Sequence, residues 1–360
     1  MRPFVWLAVL VPVLGLSAPA HAVDDTRARQ VMANAVDLYI RPAYKAFHEQ
    51  AGAMTAATET FCADPSEGGL EAVKASFADT VASWGRIEFL REGPVMQENR
   101  FERILFYPDR KSTGLKQVRA LIAHPDESVT DADGLKTRSV AIQGLGAYEF
   151  LFFGSYPEDI VGEKDSFRCR YALAIARNVE TIAVELQAAW DAPDGVARDW
   201  KNPSADNPVY RDGKEAVSAI IGVAVHGIEM VRDQRIENFY KNRKSKVSPR
   251  LAVYWRSGLS LTALAANIDG LDAFWKTADM GLLLADDAQS LADSASFDLN
   301  AAHAALAGME QPTAERLIDG KYLDKLDFIA FNLKDAITRI DGDVGGAVGL
   351  GAGFSFSDGD

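Results

Sequence analysis

The chain has 360 residues, is 48% hydrophobic and 25% charged, and carries a formal net charge of −13 at pH 7. That length holds one large domain or two of moderate size. The acidic balance argues against nucleic acid and anionic membrane surfaces as partners and is compatible with cationic ones, metal ions included.

Residues 1–22 read as an export signal. Arg2 supplies the positive start, Phe4 to Leu16 the apolar stretch, and Ala20-His21-Ala22 a small-x-small cleavage site. The apolar stretch is short for a membrane span. No cysteine follows the cleavage site to carry a lipid, and no later apolar run is long enough to cross a bilayer. The expectation is a mature protein that begins near Val23, periplasmic or released, and not membrane-spanning.

From there the periodicity is helical nearly throughout, strand-like alternation is scarce, and the expected fold class is all-α. Leu38, Tyr39, Pro42, Tyr44 and Phe47 fall on a first long helix that Pro42 can kink. Ala72 to Leu90 follows, then a shorter helix through Arg103. Phe106-Tyr107-Pro108-Asp109-Arg110-Lys111 breaks the pattern and reads as a loop. Further helices are expected over 114–125, 133–153, 166–191, 212–242, 248–268, 281–293 and 312–339. Gly154 with Ser155-Tyr156-Pro157 is a helix stop.

The loop-rich stretch 191–213 separates two helical bundles, 23–192 and 193–340, followed by a glycine-rich tail over 341–360. In that tail Phe354 and Phe356 are the residues able to pin it to the body. Val140-Ala141-Ile142-Gln143-Gly144-Leu145 echoes Val223-Ala224-Val225-His226-Gly227-Ile228, which raises duplication as an origin of the two bundles.

Cys62 and Cys169 are the two cysteines. An exported chain with an even count invites one bridge. It would close a loop of roughly a hundred residues, worth about 4–5 kcal/mol in the chain-entropy model. The alternative is two buried free thiols. Neither cysteine stands in a Cys-x-x-Cys or beside a histidine, so the pair does not read as a metal site.

The most informative stretch is Gln143-Gly144-Leu145-Gly146-Ala147-Tyr148-Glu149-Phe150-Leu151-Phe152-Phe153-Gly154. It is a helix-like apolar run with one ionisable side chain, Glu149, and two glycines that each disfavour a helix by about 1 kcal/mol relative to alanine. A buried carboxylate needs a partner or it stays protonated. Glu149 therefore reads either as a ligand-binding carboxylate or as one paired with an arginine between helices, Arg256 being a candidate. Two glycines on one helix allow close approach of another backbone or of a bound molecule, and Gly144 and Gly146 read as sites of close helix packing. His226 and Glu229 share one helix face, which offers two metal ligands or simply an interior histidine with its hydrogen bond. The chain has no Gly-x-Ser-x-Gly, no Gly-x-x-x-x-Gly-Lys and no His-Glu-x-x-His, and no residue is assigned as catalytic.

The Gly144–Glu149 stretch resembles the signature of the imelysin family of bacterial envelope proteins, a Gly-x-His-x-x-Glu opening an apolar helix. Phe61-Cys62-Ala63, Gly93-Pro94, Arg103-Ile104-Leu105-Phe106-Tyr107-Pro108-Asp109-Arg110, Arg168-Cys169-Arg170-Tyr171-Ala172, Trp255-Arg256-Ser257-Gly258 and the closing Asp358-Gly359-Asp360 resemble its imelysin-like branch in order along the chain. The resemblance implies two packed helical bundles with a cleft at their junction. It also implies a periplasmic or outer-membrane-associated location and a link to bacterial iron uptake. Some members are classed as metallopeptidases, with the signature read as a metal site. Gly144 and Glu149 carry over, whereas Gly146 stands where the family has its histidine. A zinc peptidase needs three protein ligands and a base, so peptidase activity is doubtful here. The expectation is a non-catalytic protein that binds an unknown small ligand or metal ion through Gly144, Glu149, Arg110 and Arg256, with envelope iron-transport components as partners. The alternative is a metallopeptidase holding iron or zinc with Glu149, His226 and Glu229.

Overall fold

The computed structural model describes residues 23–154, 160–161, 163–240 and 248–350. The expected signal, Ser155-Tyr156-Pro157 and residues 351–360 with Phe354, Phe356 and Asp358 to Asp360 lie outside them. Among the described residues every regular element is helical, as the periodicity requires. Helix α1 (Asp25–Asn34) runs through a wide π-type turn (Ala35–Ile40) into α2 (Arg41–Ala63). The wide turn sits directly before Pro42, whose ring and missing N–H interrupt the ladder of hydrogen bonds. Then follow α3 (Glu67–Gly85), α4 (Arg100–Ile104), α5 (Thr113–Ala123), α6 (Ala132–Lys136), α7 (Leu145–Phe153), α8 (Phe167–Asp191) and α9 (Val196–Lys201). The rest comprises α10 (Gly213–Glu229), α11 (Glu237–Tyr240), α12 (Ser260–Ala278), α13 (Ser290–Ala305) and α14 (Gly320–Thr338). Side chains of Ser66, Ser166 and Asp212 accept from backbone N–H groups in the first turns of α3, α8 and α10, satisfying donors that the helix itself leaves open.

Helix α2 packs against α3 and α8, while α13 packs against α12 and α14, and α10 lies on α12 and α14. The groups are not separate. Helix α1 packs on α10, and α12 on α3, so one apolar core runs through both. Cys62 at the end of α2 and Cys169 at the start of α8 form the expected disulfide, with Cα atoms 5.6 Å apart, a span that the bond accommodates. No described helix is long and apolar enough to cross a membrane.

Four expected helices are different in the structure, and the one expected over 312–339 starts only at Gly320, after a tight turn over Arg316–Ile318. Residues 133–153 are not one helix: α6 ends at Lys136, a tight turn covers Val140–Ile142, and α7 starts only at Leu145. The helix expected from 248 starts at Ser260, because Tyr254 with φ +53° and Gly258 with φ +71° fold the preceding residues into an irregular turn. The helix expected over 281–293 starts at Ser290, because Asp279 at φ +59° ends α12 and Met280–Leu283 form a tight turn. The echo of Val140–Leu145 in Val223–Ile228 has no shared local structure. The first segment is a turn and a helix start, and the second lies inside α10, so the fold gives duplication no support.

Candidate functional site

The start of α7 is fixed by a buried polar network. The Arg103 guanidinium donates to Gln143 Oε1 (2.9 Å) and Asn178 Oδ1 (2.5 Å), and Asn178 Nδ2 donates to the Gln143 carbonyl (2.9 Å). Gly144 follows as the extended residue that caps the start of α7. A Cβ there would lie 2.3 Å from the Ile104 carbonyl oxygen and 2.6 Å from that of Arg103. Only glycine lets the two backbones meet. Gly146, one position into the helix, has nothing within 4 Å of its would-be Cβ. The expectation of close packing therefore holds for Gly144 and fails for Gly146, which faces open space.

That space is a cavity of about 140 Å³. Its walls come from three segments, residues 105–118, the Ala141–Phe150 stretch and residues 250–256, together with Asn238 of α11. They lie on both sides of the boundary expected after residue 192. Gly144, Glu149, Arg110 and Arg256, expected from sequence as ligand-binding residues, all line it.

Glu149 is 3% exposed. Its Oε1 accepts from the backbone N–H of Arg256 (3.0 Å), the backbone N–H of Ser257 (2.9 Å) and the Ser257 hydroxyl (2.9 Å). The other oxygen, Oε2, is 3.9 Å from the Arg256 guanidinium. Burial pushes the Glu149 carboxyl above the ordinary glutamate value, while Ser257 and Arg256 pull it down. Glu149 thus clamps the irregular 254–258 turn to α7. The other end of this segment is held at the Leu251 carbonyl, which accepts from the Tyr107 hydroxyl (2.7 Å) and Asn238 Nδ2 (3.1 Å).

Arg256 lies over two rings, 4.4 Å from the Trp255 centroid and 5.4 Å from that of Phe150. Burial lowers its pKa, opposed by Glu149. Arg250 also stands over Trp255 (5.6 Å), and Arg119 over Phe150 (5.7 Å). Asp109 is committed elsewhere: its carboxylate accepts from the backbone N–H groups of Thr113 (2.6 Å) and Gly114 (2.9 Å) at the start of α5.

These residues do not fit a metal centre. Glu149 Oε1 is saturated by three donors, Asp109 is spent on a helix start, and arginines rather than neutral ligands complete the lining. Among the described residues no group of three or more His, Cys, Asp or Glu could hold a metal ion. The expected set of Glu149, His226 and Glu229 is therefore corrected. His226 Nδ1 lies 3.2 Å from Glu229 Oε2 on α10, and neither residue lines the cavity. Gly227 beside them packs under Leu271 and Phe89, so this part of α10 is turned to another part of the core.

Sequence reasoning missed Arg250, Arg119 and the clamping role of Ser257. The available signal was the run Arg250 to Arg256, in which two arginines flank Tyr254 and Trp255. A helix assigned to that run hid its backbone donors.

The fold and cavity define an all-α protein built around a buried glutamate that pins an arginine-bearing turn. Its lineage follows from comparison: the model of the imelysin family matches residues 40–326, and the chain belongs to that family. No curated protein matches the chain. Among solved structures, an imelysin-like protein from Psychrobacter arcticum 273-4 superposes with a TM-score of 0.75 at 18% identity, over 92% of this chain and 99% of the other. A candidate iron-regulated protein A precursor from Parabacteroides distasonis ATCC 8503 gives a TM-score of 0.72 at 14% identity, over 90% and 97%. At such identities the likeness carries the fold.

Proposed function

We propose that this chain is an exported, periplasmic member of the imelysin family that binds a small ligand in the Glu149–Arg256 cavity, without catalysis, in the service of bacterial iron uptake. The observation that carries the reading is the convergence of the family-signature segment with Arg110 and Arg256 on one cavity. Glu149 serves as the clamp of its wall, because all the hydrogen bonds to its carboxylate come from the 256–257 turn. The iron link rests on the family and on a structural neighbour described as iron-regulated. The metallopeptidase alternative finds no set of three ligands among the described residues.

The test has two parts. Protein purified from its native periplasm is analysed for bound metal and bound small molecules, and assayed for proteolysis. The reading expects a bound small molecule, no stoichiometric metal, and expression that rises when iron is withheld. Stoichiometric zinc or iron lost together with proteolysis in Glu149→Ala would overturn the non-catalytic role. Expression indifferent to iron would overturn the uptake role.

A further inference from the structure

The arginines of this protein are mostly committed. Arg41, Arg100, Arg103, Arg138, Arg170, Arg177, Arg211 and Arg235, for example, each donate to a carboxylate or amide side chain. Among the described residues, those that neither donate a side-chain hydrogen bond nor sit in a close ion pair are Arg91, Arg110, Arg119, Arg250 and Arg256. All but Arg91 stand at the one cavity: Arg110, Arg250 and Arg256 line it, and Arg119 lies over the Phe150 ring in its wall. In an acidic chain of net charge −13, this is a local reversal of sign. Arg256 is held between aromatic faces, with Glu149 Oε2 standing back at 3.9 Å beyond hydrogen-bond reach, and aromatic faces orient a guanidinium while leaving its N–H fork free. The two carboxylates present, Glu149 and Asp109, are occupied by backbone donors and do not use these forks.

The rest of the lining is apolar: Leu105, Val118, Phe150, Leu251 and Val253 among others. A volume of about 140 Å³ is that of a cavity which takes one benzene-sized ring, for which about 150 Å³ is the reference. Resting on the ligand-binding reading above, we infer that the ligand is a ring-sized organic carboxylate. Its apolar body fills the wall between Phe150 and Val253, and its carboxylate takes the free forks of Arg256 and Arg250, with Arg110 at the rim. Bidentate arginine–carboxylate pairing supplies both the charge and the orientation.

The experiment titrates the full mature protein with benzoate, benzylamine, benzyl alcohol and inorganic phosphate, following the heat of binding and total tryptophan emission. Benzoate is expected to bind saturably and more tightly than the other three. Arg256→Gln is expected to weaken benzoate by about 10-fold or more, the loss of one charge-assisted contact, and to leave benzyl alcohol unchanged. Arg110→Gln, at an exposed position unable to disturb folding, is expected to weaken benzoate by a few-fold. If all three rings bind alike, or if benzoate ignores both variants, the carboxylate assignment is overturned while the ligand-binding cavity stands. Phosphate binding as tightly as benzoate overturns it too, by showing a charge patch that does not use the apolar wall. No binding by any ring overturns both.

Discussion

Two carboxylates of this protein are almost equally buried, Glu149 at 3% and Glu88 at 2% exposure, and they are stabilised in opposite ways. Glu88 is met by a whole opposing side chain. Arg235 donates to Oε2 at 2.8 Å and to Oε1 at 3.1 Å, and Asn267 Nδ2 adds a third bond at 2.7 Å. Arg235 is itself 3% exposed and lies over the Tyr107 ring at 4.6 Å. The pair spends both charges internally and ties the end of α3 to the turn after α10 and to α12. Glu149 is met by backbone and hydroxyl donors, and its arginine stands back at 3.9 Å with its fork open. The lesson is that burial alone does not mark a functional carboxylate. What sets Glu149 apart is that its hydrogen bonds come from neutral donors of the 256–257 turn, which leaves the Arg256 guanidinium without a hydrogen bond beside the cavity.

The comparison breaks most visibly at Arg235. Arg235→Ala leaves Glu88 buried without its counter-charge, and such a loss runs to about 3–5 kcal/mol. Urea unfolding should record it as a large fall in midpoint. A loss under about 1 kcal/mol would mean that Glu88 is not a brace.

Next comes Glu149→Ala, which orphans two backbone N–H groups, while the Ser257 hydroxyl keeps the Tyr254 carbonyl as acceptor at 3.1 Å. The expected loss is about 2–3 kcal/mol, accompanied by a change in tryptophan emission, absent from a Trp255→Phe background, as the turn loosens. Unaltered emission would contradict the clamp. Gly144→Ala should destabilise by about 1–3 kcal/mol through overpacking against the Ile104 carbonyl, again by urea midpoint.

The pH dependence sharpens the contrast further. The folded-state value of Glu149 lies above the ordinary 4.5, so the folded protein holds that proton more tightly than the unfolded chain. Its contribution therefore falls as pH rises from 4.5 through the raised value, and returns on acidification. Wild type should gain stability relative to Glu149→Gln as pH is lowered from about 7 toward 4.5. A gap that widens in the other direction would show that hydrogen bonding outweighs desolvation. The smallest effect belongs to Gly146→Ala. With nothing within 4 Å of the added carbon, stability should change by no more than about 1 kcal/mol, upward if helix propensity decides.

Much of the fold was legible because apolar periodicity survives in long helices such as α2 and α8, and the disulfide was legible from cysteine count and an expected export signal. Site legibility was uneven. Gly144, Glu149, Arg110 and Arg256 stood out as a family pattern or as polar residues in apolar runs. The turn around Tyr254 did not, because a non-glycine residue at positive φ leaves no mark in hydropathy. The Glu88–Arg235 pair went unread because its members are 147 residues apart and neither sits in a motif. His226 with its neighbour Glu229 looked joined to Glu149 because the echo of Val140–Leu145 in Val223–Ile228 set the two segments facing each other, and a short echo says nothing of which helices meet.

Native mass spectrometry of the protein, purified gently from the cells that make it and compared with Arg256→Gln, tests the central claim most directly. The account predicts a small organic anion retained by wild type, lost from Arg256→Gln, and no stoichiometric metal. A metal ion retained equally by both proteins and released by Glu149→Ala or His226→Ala would contradict it.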